Sequence, residues 1–266
     1  RFIMNIIPLP LKVKEKSGSV ALGRESAVSG DFSQTIELTK DFLSDKDGGK
    51  DAQIIFCSDA ALADEEYFID CQNGKVQIKA AKEVGAFYAL ATIKQIYSNG
   101  AIPCVEINDK PNYAYRGFSL DCARHFWKVD KLKQIIDVMA HIKMNEFHWH
   151  LTDDQGWRAE IKKYPLLTQK GTARKRTPLS PKAFMGSGDL GYDEEEYGRG
   201  LFYSQDEMRE IVDYAKARHI EVVPEIDMPG HMVAAIACYP QLSCAEEPTE
   251  VSTRWGVLDN ICCCGK

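Results

Sequence analysis

Past residue 112 the chain alternates short β-rich runs with amphipathic helical stripes, and this rhythm constrains its 266 residues more than any other feature. Strands are expected over 115–121, 145–151 and 220–226. Between the first two, Leu132, Ile135, Ile136, Met139 and Ile142 form one stripe behind Asp130, which can cap the helix. Between the second and third, Ser204 and Glu207 make a capping box ahead of Met208, Ile211, Val212 and Ala215. Strand, helix, strand, helix, strand is the signature of a parallel α/β sheet or barrel. One segment interrupts it, over 165–203, rich in Gly, Pro and charge; such a length reads as a functional lid or a disordered insert.

The residues before the alternation read as mixed α and β. Strands are expected over 52–57, 67–71 and 75–80, the last two joined as a hairpin across Gln72-Asn73-Gly74. Val84, Phe87, Tyr88, Ala91 and Ile96 recur at helical spacing, with Gly100 placed to stop that helix. A further strand is expected over 102–107. Asn108-Asp109-Lys110-Pro111-Asn112 is a strong break, so the domains are expected at 1–111 and 112–266.

Composition narrows the function. A hydrophobic content of 44% supplies two modest cores or one large one. A net charge of −6 lacks the basic footprint that nucleic acid requires, so no nucleic-acid partner is expected. Apolar runs such as 54–57 are too short to span a bilayer, and no charged-then-apolar leader opens residues 1–10. Nine cysteines occur without a CxxC pair, which argues against a zinc ribbon. Cys262, Cys263 and Cys264 are consecutive and cannot all pair with one another, so buried or free thiols are the expectation.

In a parallel α/β barrel, chemistry lies at the C-terminal ends of the strands. Each strand here ends in reactive side chains: Asp121 with Arg124 and His125, then His148, His150, Asp153 and Asp154, then Glu225, Asp227 and His231. Each has a duller explanation. Arg124 could be a surface ion pair, and either histidine could be a satisfied core residue. Asp153 and Asp154 could cap a turn, and Pro229-Gly230 could simply end a strand. Trp127, Trp149 and Trp157 could be a platform for sugar rings or core residues, and Trp149 alternates with its histidine neighbours toward the core. The acidic run over 192–197 reads as a solvated loop. What weighs against the dull readings is three strand ends agreeing.

Arg116-Gly, Asp121-Cys-Ala-Arg-His125, His148-Trp-His-Leu-Thr-Asp-Asp154 and Glu225-Ile-Asp-Met-Pro-Gly-His231 resemble the ordered motifs of family 20 glycoside hydrolases, the β-N-acetylhexosaminidases. Gln155-Gly-Trp-Arg158 and Tyr164-Pro-Leu-Leu-Thr168 fit the same pattern, and residues 7–107 resemble the α+β domain that precedes the barrel in that family. The resemblance implies an α/β fold: an N-terminal α+β domain followed by a truncated TIM (β/α)8-type barrel, with about three of eight strands present. It implies that Arg124 binds the ring hydroxyls of a terminal N-acetylhexosamine, with His150 and Glu225 at the pocket base. It implies that Asp153 and His231 back the general acid, with Asp227 beside that histidine. Neither metal nor cofactor is implied, and the partner is an N-acetylhexosamine-containing glycan. By family habit the protein is periplasmic, secreted or lysosomal.

In that family the substrate's acetamido oxygen attacks its own anomeric carbon, an Asp steadies the acetamido group and the adjacent Glu protonates the leaving oxygen. No Gly-Gly-Asp-Glu-like sequence occurs here. The chain alone is therefore expected to be inactive, and to self-associate through an incomplete barrel edge. Two rival readings are a metal-dependent barrel hydrolase using these histidines and aspartates, and a non-catalytic carbohydrate-binding fragment.

Overall fold

The computed structural model describes residues 6–179, 191–245 and 247–265, and the chain divides into two compact units. Unit 1 holds residues 1–116 and 137–145, and unit 2 holds residues 117–136 and 146–266. The division differs from a single cut at 111/112. Residues 137–145 fall in unit 1, where Lys143 is buried against Asp109 at 3.1 Å and against the Tyr67 hydroxyl at 2.8 Å.

Unit 1 contains β1 (Lys12–Ala21), β2 (Ala27–Gly30), α1 (Ser33–Leu43), β3 (Gln53–Ser58), β4 (Tyr67–Gln72), β5 (Lys75–Ala80), α2 (Glu83–Ile96) and β6 (Ala101–Asp109). The strands form one mixed sheet in the order β1-β6-β4-β5-β3-β2. The expected hairpin joins β4 to β5, with Asn73 and Gly74 both at positive φ, as a two-residue turn requires. α2 packs on β4 and β5 through ten buried residues of its fourteen. Gly85 permits that approach, since a Cβ there would lie 2.6 Å from the Glu66 carbonyl. The helix does not run to Gly100. It ends at Ile96 because Tyr97 is extended, and Asn99-Gly100 form the turn into β6.

Unit 2 contains β7 (Gly117–Asp121), α3 (Val129–His141, which runs on into unit 1), β8 (Glu146–Asp153), β9 (Gly156–Trp157), α4 (Leu166–Gln169), β10 (Thr177–Pro178), β11 (Tyr192–Asp193), α5 (Gln205–Lys216), β12 (Glu221–Ile226) and α6 (Val233–Cys238). The three expected strands pair in parallel as β12-β8-β7, with β9 folded back antiparallel on β8. α3 starts at Val129, so Asp130 sits in its first turn and does not cap it. The capping box at Ser204 and Glu207 is present at the start of α5. The interrupting segment carries α4 and the β10–β11 pair, and its stretch over 180–190 lies outside the described residues. Trp149 and Trp157 are buried, which makes them core and not an exposed platform.

The thiol expectation needs correction. Cys244 and Cys263 form a disulfide across 19 residues. The run of three cysteines does not pair within itself; its middle member reaches a distant partner that the fold brings near. No helix among the described residues is long and apolar enough to cross a membrane.

Candidate active site

Parallel pairing aligns Asp121 with His150 and His150 with Glu225, so the ends of β7, β8 and β12 present these side chains on one face. A register shift after Glu225 then carries the chain to Asp227. His231 follows on the next turn in a left-handed conformation, φ 54°, which costs an L-residue of its type about 1 kcal/mol.

Asp153, at the end of β8, is 1% exposed and is the centre of the cluster. Its Oδ2 lies 2.6 Å from Arg124 Nη2 and 3.3 Å from His150 Nε2, and its Oδ1 lies 3.1 Å from His231 Nδ1. Burial raises the Asp153 carboxyl, but the His150 hydrogen bond and the Arg124 charge outweigh it and leave the carboxyl below its ordinary value. Arg124 is held on three sides, by Asp153, by Asp121 Oδ2 at 2.8 Å and by Gln155 Oε1 at 2.8 Å. Of the five N–H donors of a guanidinium, Gln155 takes the one on Nε and Asp121 one on Nη1, while Nη2 faces Asp153 as an ion pair, so both terminal nitrogens keep an N–H for a ligand. That spacing suits two adjacent ring hydroxyls.

His150 is buried, its Nε2 2.8 Å from the Thr152 carbonyl and its Nδ1 3.8 Å from Asp121. Burial disfavours its charge, yet the Asp153 hydrogen bond and the charges of Asp121 and Glu225 raise its affinity for a proton. Asp227 lies against His150, 3.6 Å away, and its charge interacts with that of Glu225. Burial and that neighbouring carboxylate push Asp227 up; Glu225, also opposed by burial, is pulled down by Asp227, His150 and His148. Glu225 also contacts His148 Nε2. Among the described residues, the ion-pair contact that Asp227 makes is with His150.

Several further residues shape the site, two of them, Asp121 and Asp154, conspicuous at strand ends but given no role by the sequence. Asp154 Oδ2 shares His231 Nδ1 at 3.1 Å, while its Oδ1 accepts the Val233 backbone N–H at 3.1 Å. Burial and the adjacent Asp153 raise its carboxyl. Asp121 accepts the backbone N–H groups of Ala123 and Arg124 at 2.9 and 3.0 Å, which turns the chain back to aim Arg124. Arg158, fully buried, donates to the carbonyls of Ala123, Thr172, Gly198 and Leu201 and so ties the loops behind Arg124 together. A side chain at Gly156 would lie 2.3 Å from Arg158 Nη2. Arg174 donates to the Arg124 carbonyl at 3.0 Å and stacks over Tyr197 at 4.2 Å. Only the motif spacing around Gln155 and Arg158 hinted at this frame.

Two groups could hold a cation, His150 with Asp153 and Asp227, and Asp153 with Asp154 and His231, their donor atoms within 4.8 Å of one another. Both depend on Asp153, whose Oδ2 is already matched by the Arg124 guanidinium at 2.6 Å. A divalent ion at either group would meet that fixed positive charge. The donor set fits an arginine clamp better than a metal.

Residues 113–266 match the profile of glycosyl hydrolase family 20, catalytic domain, and residues 4–110 match that family's domain 2. A beta-hexosaminidase of Porphyromonas gingivalis is 36% identical over 99% of this chain and 35% of its own length. A beta-N-acetylhexosaminidase of Cellulomonas fimi is 40% identical over 73% of this chain and 36% of its own. Among solved structures, the Streptomyces plicatus N-acetyl-beta-hexosaminidase in complex with thio-NAglucal superposes with a TM-score of 0.80 at 32% identity, over 98% of this chain and 53% of that one. The Bacteroides fragilis beta-N-acetylhexosaminidase gives 0.77 at 35%, over 98% and 50%. The chain thus spans about a third of these curated relatives and about half of these solved ones.

Proposed function

Because the chain belongs to glycosyl hydrolase family 20, we propose that it supplies the sugar-holding half of a retaining β-N-acetylhexosaminidase that works by substrate assistance. Its three parallel strands are the first part of a (β/α)8 barrel, and β7 and β12 are the edges at which further strands, or a second copy, would pair. Arg124 directs N–H groups of its two terminal nitrogens at adjacent hydroxyls of a terminal GlcNAc or GalNAc, fixing the ring for attack. His150 and Glu225 form the base of that pocket, and Asp227 sets the charge around His150. Asp153 orients the His231 imidazole, which in turn positions the general acid. The substrate's acetamido oxygen displaces the leaving group at its own anomeric carbon, so configuration is retained.

The observation that carries this reading is the single buried carboxylate of Asp153, which joins the clamp to the imidazole. The acid and the acetamido-steadying carboxylate have no counterpart in a Gly-Gly-Asp-Glu-like sequence here, so the 266-residue chain alone holds sugar without cleaving it. The test is release of 4-nitrophenol from its N-acetyl-β-glucosaminide, with the first anomer followed by NMR. A longer reading frame carrying the acid pair should hydrolyse it with retention, and this chain should not. Hydrolysis by this chain above background, or inversion by the longer one, would overturn the proposal.

A further inference from the structure

We infer that a second saccharide-binding hollow lies beside the Arg124 cluster, walled by residues 249–260, which lie between the disulfide-bonded Cys244 and Cys263. Its volume is 720 Å³, within the range of small-ligand sites. The wall is fixed in advance. The disulfide closes the loop, the Ser252 N–H donates to the Asp154 carbonyl at 2.9 Å, and Gln155 Nε2 donates to the Arg254 carbonyl at 2.7 Å. The Cys262 N–H donates to the Pro229 carbonyl at 2.8 Å, and the Cys263 N–H to the Leu242 carbonyl at 2.7 Å. A loop tied at these points loses little freedom when a ligand arrives.

The lining selects the ligand. Lys175 is paired with Glu250 at 2.7 Å, and Arg176 with Glu194 at 3.4 Å. Arg254 and Asp259 line the same hollow and have no ion-pair partner among the described residues. Thr249, Ser252, Thr253 and Asn260 add hydroxyl and amide groups. An anion would meet Asp259 and a cation would meet Arg254. A neutral pyranose satisfies both, because each hydroxyl can donate to the carboxylate and accept from the guanidinium. Gln155 connects the hollow to the clamp: its Oε1 accepts from Arg124 Nε while its Nε2 holds the Arg254 carbonyl. The inference rests on the hexosaminidase reading only for the class of sugar.

The test is calorimetric titration of the 266-residue chain with N,N′-diacetylchitobiose. Asp259→Asn and Arg254→Ala should each weaken binding at the hollow by about tenfold, as loss of a charged hydrogen bond does. Arg124→Ala should leave a binding component that Asp259→Asn weakens. Thr253→Val, which deletes one lining hydroxyl, is the milder companion should either charge variant fail to fold, and should also weaken binding. Absence of binding in the wild type, loss of all binding in Arg124→Ala, or unchanged binding in the hollow variants would overturn the inference. Loss confined to Arg124→Ala would leave the glycosidase reading standing; loss confined to the hollow variants would count against the clamp and support the hollow.

Discussion

His231 Nδ1 lies 3.1 Å from Asp153 Oδ1, a contact made across 78 residues of chain. The same carboxylate forms an ion pair with Arg124 through its other oxygen at 2.6 Å, so one buried charge holds two functional groups in a common frame. Asp153→Asn keeps the shape and removes the charge, leaving Arg124 under-compensated. The expected cost is about 3 kcal/mol of folding stability, read by urea denaturation. A loss indistinguishable from zero would show that the ion pair is not formed.

The titration of His150 follows from its neighbours. Its proton affinity is raised above the ordinary 6.5 because Asp153, Asp121 and Glu225 outweigh burial. A raised value means that its contribution to stability is complete below 6.5 and is lost as pH rises through the elevated value. The melting temperature of the wild type should therefore exceed that of His150→Gln most at about pH 5, with the gap narrowing toward about pH 8. NMR should place the His150 midpoint above 6.5, and Asp153→Asn should lower it. A gap that widens with pH would contradict the assignment.

In unit 1, Lys143 and Asp109 are buried together, and the Tyr67 hydroxyl donates to Asp109 at 2.7 Å. Burial lowers the Lys143 pKa despite its partner. Asp109→Ala would strand a buried ammonium and should cost about 3–5 kcal/mol. The double change Asp109→Leu with Lys143→Met should cost clearly less than the single one. Equal losses, measured by thermal unfolding of both variants, would contradict this.

At the start of α5, the Ser204 hydroxyl accepts the Glu207 N–H at 3.2 Å while the Glu207 carboxylate accepts the Ser204 N–H at 2.8 Å. Ser204→Ala should cost about 1 kcal/mol, and Ser204→Asp should recover most of it, as read by chemical denaturation.

The parts of this molecule legible in the sequence are those whose signal is local. The β4–β5 hairpin announces itself through Asn73-Gly74, and α5 through Ser204 and Glu207. β1 does not, because Lys12, Lys14, Glu15 and Lys16 lie on an edge strand with almost no buried face. Arg124, Asp153, Asp227 and His231 were conspicuous as reactive groups at strand ends. That Asp227 would sit against His150 depends on the register shift in β12, which no spacing reveals. Gln155 and Arg158 act through carbonyls of distant loops, and the partnership of Cys244 with Cys263 exists only once the chain has folded.

The measurement that bears most directly on this account is a crystal of the 266-residue chain soaked with N-acetylglucosamine. The account predicts a pyranose with two adjacent hydroxyls on the terminal nitrogens of Arg124, in the same cavity as His231. A sugar bound only elsewhere, with nothing at Arg124 under saturating conditions, would contradict it.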